Sequence, residues 1–295
     1  MPRIVSFLPA ATEIVDALGA GAELVGRSHE CDFPAGVERL PVVSRPALAL
    51  EGASPGEIDV MVAERLRQGE SLYQVDELLL RELKPDLILT QDLCQVCAPS
   101  GNELVRAVRD LPGNPKVLRL TPRSVAEIEA NILEVGEAIG RKPAAERLVA
   151  EQRARIEKVR SAVAGAPVRR VVFLEWIEPF FSAGHWTPEM IALAGGTDPL
   201  GRPGEDSVRV SWADVLESEP EILIVAPCGY RLARAVDLGS TLPSVSGAQV
   251  YAVDANAYFA RPGPRVAEGV ELLAHLFHPR KVSWKSSSRP WEEIV

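Results

Sequence analysis

Two cysteines separated by two residues, Cys94 and Cys97 in TQDLCQVCAPSGNE, follow the apolar run Leu87-Ile88-Leu89, and the loop SHECDFP at 28–34 carries His29, Glu30 and Cys31. His29, Cys31, Cys94 and Cys97 make up four soft donors, a set that suits tetrahedral zinc, with iron as a second metal to consider. The same thiols could instead exchange disulfides or form the unmetallated wall of a pocket. The spacing across the two loops is not that of a zinc finger or ribbon. Against thiol exchange, no aromatic residue precedes Cys94 and no helix opens at it to lower its pKa.

The second concentration of chemistry is aromatic. Trp176, Phe180, Phe181, His185, Trp186, Tyr258 and Phe259 crowd into two loops of a chain that is only 5% aromatic, with Arg261 and Arg265 beside them. Such rings suit a broad, flat, partly apolar ligand, and the guanidinium groups suit its carboxylates, phosphates or amides. No G-x-S-x-G, Walker or G-x-G-x-x-G pattern occurs. A thiolate pair of Cys94 with His29 or His185 is the route left to thiol-dependent catalysis.

The elements that must position these residues alternate in βαβ fashion. Strands are expected at 4–7, 23–26, 86–89 and 116–120, with a helix at 12–18 closed by Gly19. A helix at 54–69 carries a Ser54/Glu57 capping box and Pro55 at its first position. A further helix has Val75, Leu78, Leu79 and Leu83 on one stripe, and another runs from 103 to 111. From Ser124, which makes a second capping box with Glu127, to about Val163 the chain is helix-forming except near Gly140 and Pro143. Strands return at 170–176, 221–226 and 249–253, with helices opening near Thr187 and Ser211 and a last one at 264–277. The tail SWKSSSRPWEEIV is expected to pack loosely or fray. LRELKPDLILTQ (80–91) and LESEPEILIVAP (216–227) repeat one order: helix end, proline, acid, apolar strand, polar loop.

This grammar predicts an α/β fold of two similar lobes with mainly parallel sheets. The boundaries fall at 1–121 for the first lobe, 122–165 for a helical bridge and 166–295 for the second lobe. Loops at the carboxyl ends of parallel strands gather on one edge, where ligands bind, so a cleft between the lobes is the expected site. The first lobe brings Phe7, Pro9, His29, Glu30, Phe33, Gln91, Asp92 and Cys94 to it. The second brings Trp176, His185, Trp186, Tyr258, Phe259 and Arg261.

With 295 residues, 46% of them apolar, the chain can bury two cores. A net charge of -9 argues against a nucleic-acid surface, and no apolar run approaches the length of a membrane span. The first residues hold too short an apolar run for an export signal, so the expected location is cytoplasmic, with free thiols rather than disulfides.

Across nearly its whole length the sequence resembles the substrate-binding proteins of ABC importers for cobalamin and ferric siderophores. The resemblance rests on RIVSFLPAATEIVDALGAGAELVGRSHECDFP, LKPDLILT, FSAGHW with IALAGG, VSWADVLESEPEILIV and YFARPGPRV. It implies two lobes joined by a rigid helix and a non-catalytic protein whose ligand is cobalamin or a related corrinoid, with His29 or His185 as a ligand to cobalt. Transition-metal, haem or siderophore binding through the His29, Cys31, Cys94 and Cys97 cluster is the alternative. Where the family has rings, Glu30 and Pro46 stand, while Phe33, Tyr258 and Phe259 match. The family docks to its importer through an exposed glutamate on each lobe. Here those positions fall on Leu78 and Ala213, so docking to an importer is expected to be weak or absent.

Overall fold

The computed structural model describes residues 1–91, 107–108 and 111–294. Its strands are short runs rich in Val, Ile and Leu, the residues that buried pleated positions favour. The first half supplies β1 (Ile4–Ser6), β2 (Leu24–Ser28), β3 (Val42–Pro46), β4 (Tyr73–Val75), β5 (Leu87–Thr90) and β6 (Lys116–Arg119). Among them run α1 (Pro9–Ala17), α2 (Pro55–Arg67) and α3 (Glu77–Leu83). The sheet order is β4-β3-β2-β1-β5-β6, parallel throughout except for β3 with β4. The central strands β1 and β5 are buried along their whole length.

Two helices follow, α4 (Val125–Ala138) and α5 (Lys142–Val163), separated where Gly140 takes a φ of +68°. The second half contains β7 (Arg169–Ile177), β8 (Phe180–Ser182), α6 (Thr187–Leu193), β9 (Gly196–Thr197), α7 (Trp212–Glu217) and β10 (Ile222–Val225). It continues with α8 (Leu232–Gly239), β11 (Gln249–Val253), α9 (Ala255–Tyr258), α10 (Val266–Phe277) and β12 (Trp291–Ile294). Its sheet runs β12-β11-β10-β7-β8. The α/β class expected from the alternation is thus what the chain adopts. Compact units comprise 1–122 with 129–149 (unit 1) and 123–128 with 150–295 (unit 2), so the division falls inside both α4 and α5.

The two echoing segments occupy equivalent places. Lys84 and Glu219, at φ +45° and +43°, turn the chain out of α3 and α7, and the proline after each bars further helix. The acid that follows then clasps the first strand of its own sheet. Asp86 accepts the Arg3 backbone N–H at 2.8 Å, and Glu221 accepts that of Arg170 at 2.9 Å. The Nε–H of each arginine donates back to a helix-end carbonyl, Leu83 and Glu219 respectively. β5 and β10 then run fully buried beside β1 and β7.

Several expectations are corrected. Helix α1 opens at Pro9 rather than Thr12, because proline is tolerated where the N–H would have no helical partner. Val75 lies in β4, opposite Ser44, and Leu78 is 74% exposed, whereas Leu80 is the residue of α3 that is fully buried. The Ser54/Glu57 box closes in both directions. At Ser124 only half of it does: Ser124 Oγ accepts the Glu127 N–H, while the Glu127 carboxylate takes the Arg123 N–H. The helix expected over 103–111 lies mostly outside the described residues.

The tail does not fray. Trp291–Ile294 adds an antiparallel strand to β11, the Asp254 N–H donates to Pro290 O at 2.9 Å, and Trp284 meets Tyr258 edge-on at 6.0 Å. Deleting residues 283–295 should therefore lower the thermal midpoint by about 4 °C or more, for the roughly 2 kcal/mol that a lost strand and its packing represent. An unchanged midpoint in a calorimetric scan would favour a loose tail instead.

Candidate ligand-binding site

In unit 1 the loop after β2 is tied into one shape. Ser28 Oγ accepts the Glu30 N–H at 3.0 Å, Ser28 O accepts that of Cys31 at 3.2 Å, and the Arg27 guanidinium donates to Ser28 O and His29 O. His29 is held to β3 twice, since its backbone N–H and its Nδ1 both reach Ser44 O, at 3.2 and 3.1 Å. A carbonyl only accepts, so Nδ1 carries the proton and Nε2 is left facing the Glu30 carboxylate at 3.2 Å. The imidazole lies 5.8 Å from the Tyr73 ring. Phe33 is 44% exposed, Pro9 is half-buried at the start of α1, and Gln91 is buried just beyond β5.

Cys31 is only 1% exposed, and its sulfur accepts the Thr12 hydroxyl at 3.1 Å. Asp92, Cys94 and Cys97 lie outside the described residues. Among the described residues no group of three or more His, Cys, Asp or Glu is placed to hold a metal ion.

In unit 2 the aromatic loops are braced from below by two acids. Glu175 is the one acid in the strand run VVFLEWI, and its Oε1 accepts the Gly184 N–H at 2.9 Å. Burial lifts its pKa to about 7, although hydrogen bonds from Gly184, Ser207 and Thr187 pull the other way. Asp198 is likewise raised by burial, to about 6, while accepting N–H groups from Leu200, Gly201 and Phe173 at 2.9, 3.1 and 3.2 Å. Over this base His185 adopts φ +53° and places Nε2 3.1 Å from Asp206, which also pairs with Arg123 at 3.1 Å. Burial lowers the His185 pKa despite Asp206.

Trp186 is buried and donates Nε1–H to Phe259 O at 2.9 Å, joining the loop after β8 to the end of α9. Tyr258 and Arg261 are 8% and 7% exposed. Trp176 is half-buried near the end of β7 and stacks on Tyr230, a residue the sequence reading passed over. Two expected contacts are corrected. Phe7 is 0% exposed and packs with Val5, Val43, Leu80 and Ile88, and Phe259 is 3% exposed and packs edge-on against Phe173. Both belong to their cores and present no face to a ligand. Glu175 and Asp198 were also passed over. The signal for Glu175 was a lone carboxylate inside an otherwise apolar strand, a placement that demands partners.

A family model described as "Periplasmic binding protein" matches residues 4–242. A vitamin B12-binding protein of Vibrio cholerae is 25% identical over 276 residues, 92% of this chain and 87% of the relative. An uncharacterised ABC transporter substrate-binding lipoprotein of Bacillus subtilis is 25% identical over 94% of this chain and 80% of its own length. Among solved structures, a periplasmic haem-binding protein from Pseudomonas aeruginosa shares the fold with a TM-score of 0.71, at 18% identity over 100% of this chain and 99% of that one.

These findings overturn the expectation of a cytoplasmic location: the matching family is described as periplasmic, and the Bacillus relative is a lipoprotein. The expectation that importer docking fails, drawn from Leu78 and Ala213, does not stand against kinship with an ABC transporter component.

The two raised acids carry a sign. A carboxyl group whose folded pKa exceeds its unfolded value stabilises the fold fully below the unfolded pKa and loses that contribution as pH rises through the folded one. For Glu175 the window runs from its ordinary value of 4.5 to about 7. Glu175→Gln keeps an acceptor for Gly184 and removes the ionisation. Urea unfolding at pH 5 and pH 7.5 should show wild type losing stability relative to this variant by up to about 1.4 kcal/mol per pH unit. Parallel pH profiles for the two proteins would show that Glu175 titrates normally.

Proposed function

We propose that this chain, which belongs to the periplasmic binding protein family, takes cobalamin or a related corrinoid as its ligand. It is a non-catalytic substrate-binding protein, so the thiol-enzyme reading falls away. The observation that carries the ligand is kinship over 92% of the chain with a protein named for vitamin B12 binding. The site chemistry supports it: the half-buried Trp176 ring near the end of β7 and the exposed Phe33 ring suit a broad conjugated macrocycle, and Arg261 suits its amide or phosphate periphery.

The residues we assign to ligand contact are Pro9, His29, Glu30, Phe33 and Gln91 in unit 1 and Trp176, His185, Tyr258 and Arg261 in unit 2. Both histidines are candidate axial donors to cobalt: His29 directs Nδ1 to the Ser44 carbonyl and Nε2 to the Glu30 carboxylate, and His185 directs Nε2 to Asp206.

Absorbance and calorimetric titrations with hydroxocobalamin and cyanocobalamin test this, with hemin as the competing macrocycle. Saturable binding of a cobalamin is expected. Tyr258→Ala should weaken it several-fold, since a lost aromatic contact costs on the order of 1 kcal/mol beyond its area. No spectral change and no heat with either cobalamin at high micromolar concentration would overturn the corrinoid reading, and saturable binding of hemin alone would redirect it to haem.

A further inference from the structure

Trp176 does not stand alone near the end of β7. Its Nε1–H donates to Glu178 O at 3.0 Å, which fixes one edge of the indole. Its face meets Tyr230, with ring centroids 5.6 Å apart and planes inclined by 25°, the stacked geometry. The Arg234 guanidinium lies 6.0 Å from the Tyr230 centroid and 3.9 Å from the Asp237 carboxylate. Three planar groups thus come together from three elements: β7, the loop after β10, and α8.

The loop that presents Tyr230 is held as firmly as the strand beneath Trp176. The Cys228 N–H donates to Glu175 O at 2.9 Å, the Gly229 N–H to Asn256 Oδ1 at 3.1 Å, and the Tyr230 N–H to Pro227 O at 3.2 Å. Gly229 takes φ +85°, a turn that side chains resist and that delivers the phenol to the indole. Burial raises the phenol's pKa further above its ordinary value.

An aromatic side chain at the end of a strand would otherwise sample several orientations, and ordering it would oppose binding. Here the ordering is done in advance. We propose that Tyr230, supported by Arg234, is a positioning residue that fixes the Trp176 ring in the orientation on which a flat conjugated face of the ligand stacks. This rests on the assignment of Trp176 to ligand contact made above.

The test uses calorimetric titration of cyanocobalamin into the full chain. Tyr230→Ala should weaken binding about three- to tenfold, the range expected for a lost ring pair. Tyr230→Phe, which keeps the ring and drops the hydroxyl, should restore affinity to within about twofold of wild type. If Tyr230 acts through Trp176, the double variant Trp176→Ala/Tyr230→Ala will bind little worse than Trp176→Ala alone, because the second substitution removes support for a ring already gone. Additive losses would overturn the positioning role, as would unchanged affinity in Tyr230→Ala. A lowered thermal midpoint with affinity intact would assign Tyr230 to packing only and also overturn it. If wild type binds no cobalamin, the corrinoid reading fails and this one fails with it. If wild type binds and Tyr230→Ala binds equally, only this one fails.

Discussion

In each unit one carboxylate placed after a proline decides where the sheet begins. Asp86 and Glu221 each receive the backbone N–H of an arginine just at the start of the first strand, and each is followed at once by the strand that pairs beside it. The register of β5 on β1 and of β10 on β7 is set by that contact and by the arginine's return bond to the helix end. Parallel pairing has no tight hairpin turn to fix its register, so an anchor of this kind substitutes for one. Because the anchored ends are the amino ends, the opposite ends of the same strands are where the loops carrying Gln91 and Cys228 emerge.

Polar groups placed inside apolar surroundings order those loops in turn. Glu175 and Asp198 collect N–H groups from loop backbone at Gly184, Leu200 and Gly201, and Asp198 takes that of Phe173 in β7 as well. Burial raises the pKa of both acids, and the N–H bonds that each accepts pull back toward the ionised form. In unit 1 the same task falls to the Ser28 hydroxyl, the Ser44 carbonyl and the Arg27 guanidinium, and the loop they shape presents a histidine rather than a tryptophan.

The legible part of the fold was the part that local chemistry dictates. Buried central strands read as continuous apolar runs, and the Ser54, Ser124 and Ser211 helix starts follow from capping. What failed was edge structure. β4 is short and partly exposed, and the spacing of Val75, Leu79 and Leu83 imitates a helical stripe. The tail's Ser-rich composition hid β12, whose strand character comes from its partner β11 rather than from its own residues. For the site, residue type and strand-end position singled out Trp176, His185 and Tyr258 as candidates. They could not tell that Phe7 and Phe259 turn inward, because one step along the chain reverses the face a side chain takes. Nor could they find the stack on Tyr230, which depends on two strands 51 residues apart meeting side by side, as Leu174 and Val225 do.

The β12 pairing also bears on how copies of the protein behave toward one another. Without it, β11 would end the sheet with a row of open N–H and C=O groups beside an apolar surface, the template on which chains join edge to edge. β12 takes that place with Glu292 and Glu293 in adjacent positions and Pro290 just before it. Neighbouring carboxylates repel a second copy approaching along the same edge, and the proline lacks the donor that would extend the ladder. The last residues of the chain thus keep the sheet from growing beyond its own molecule.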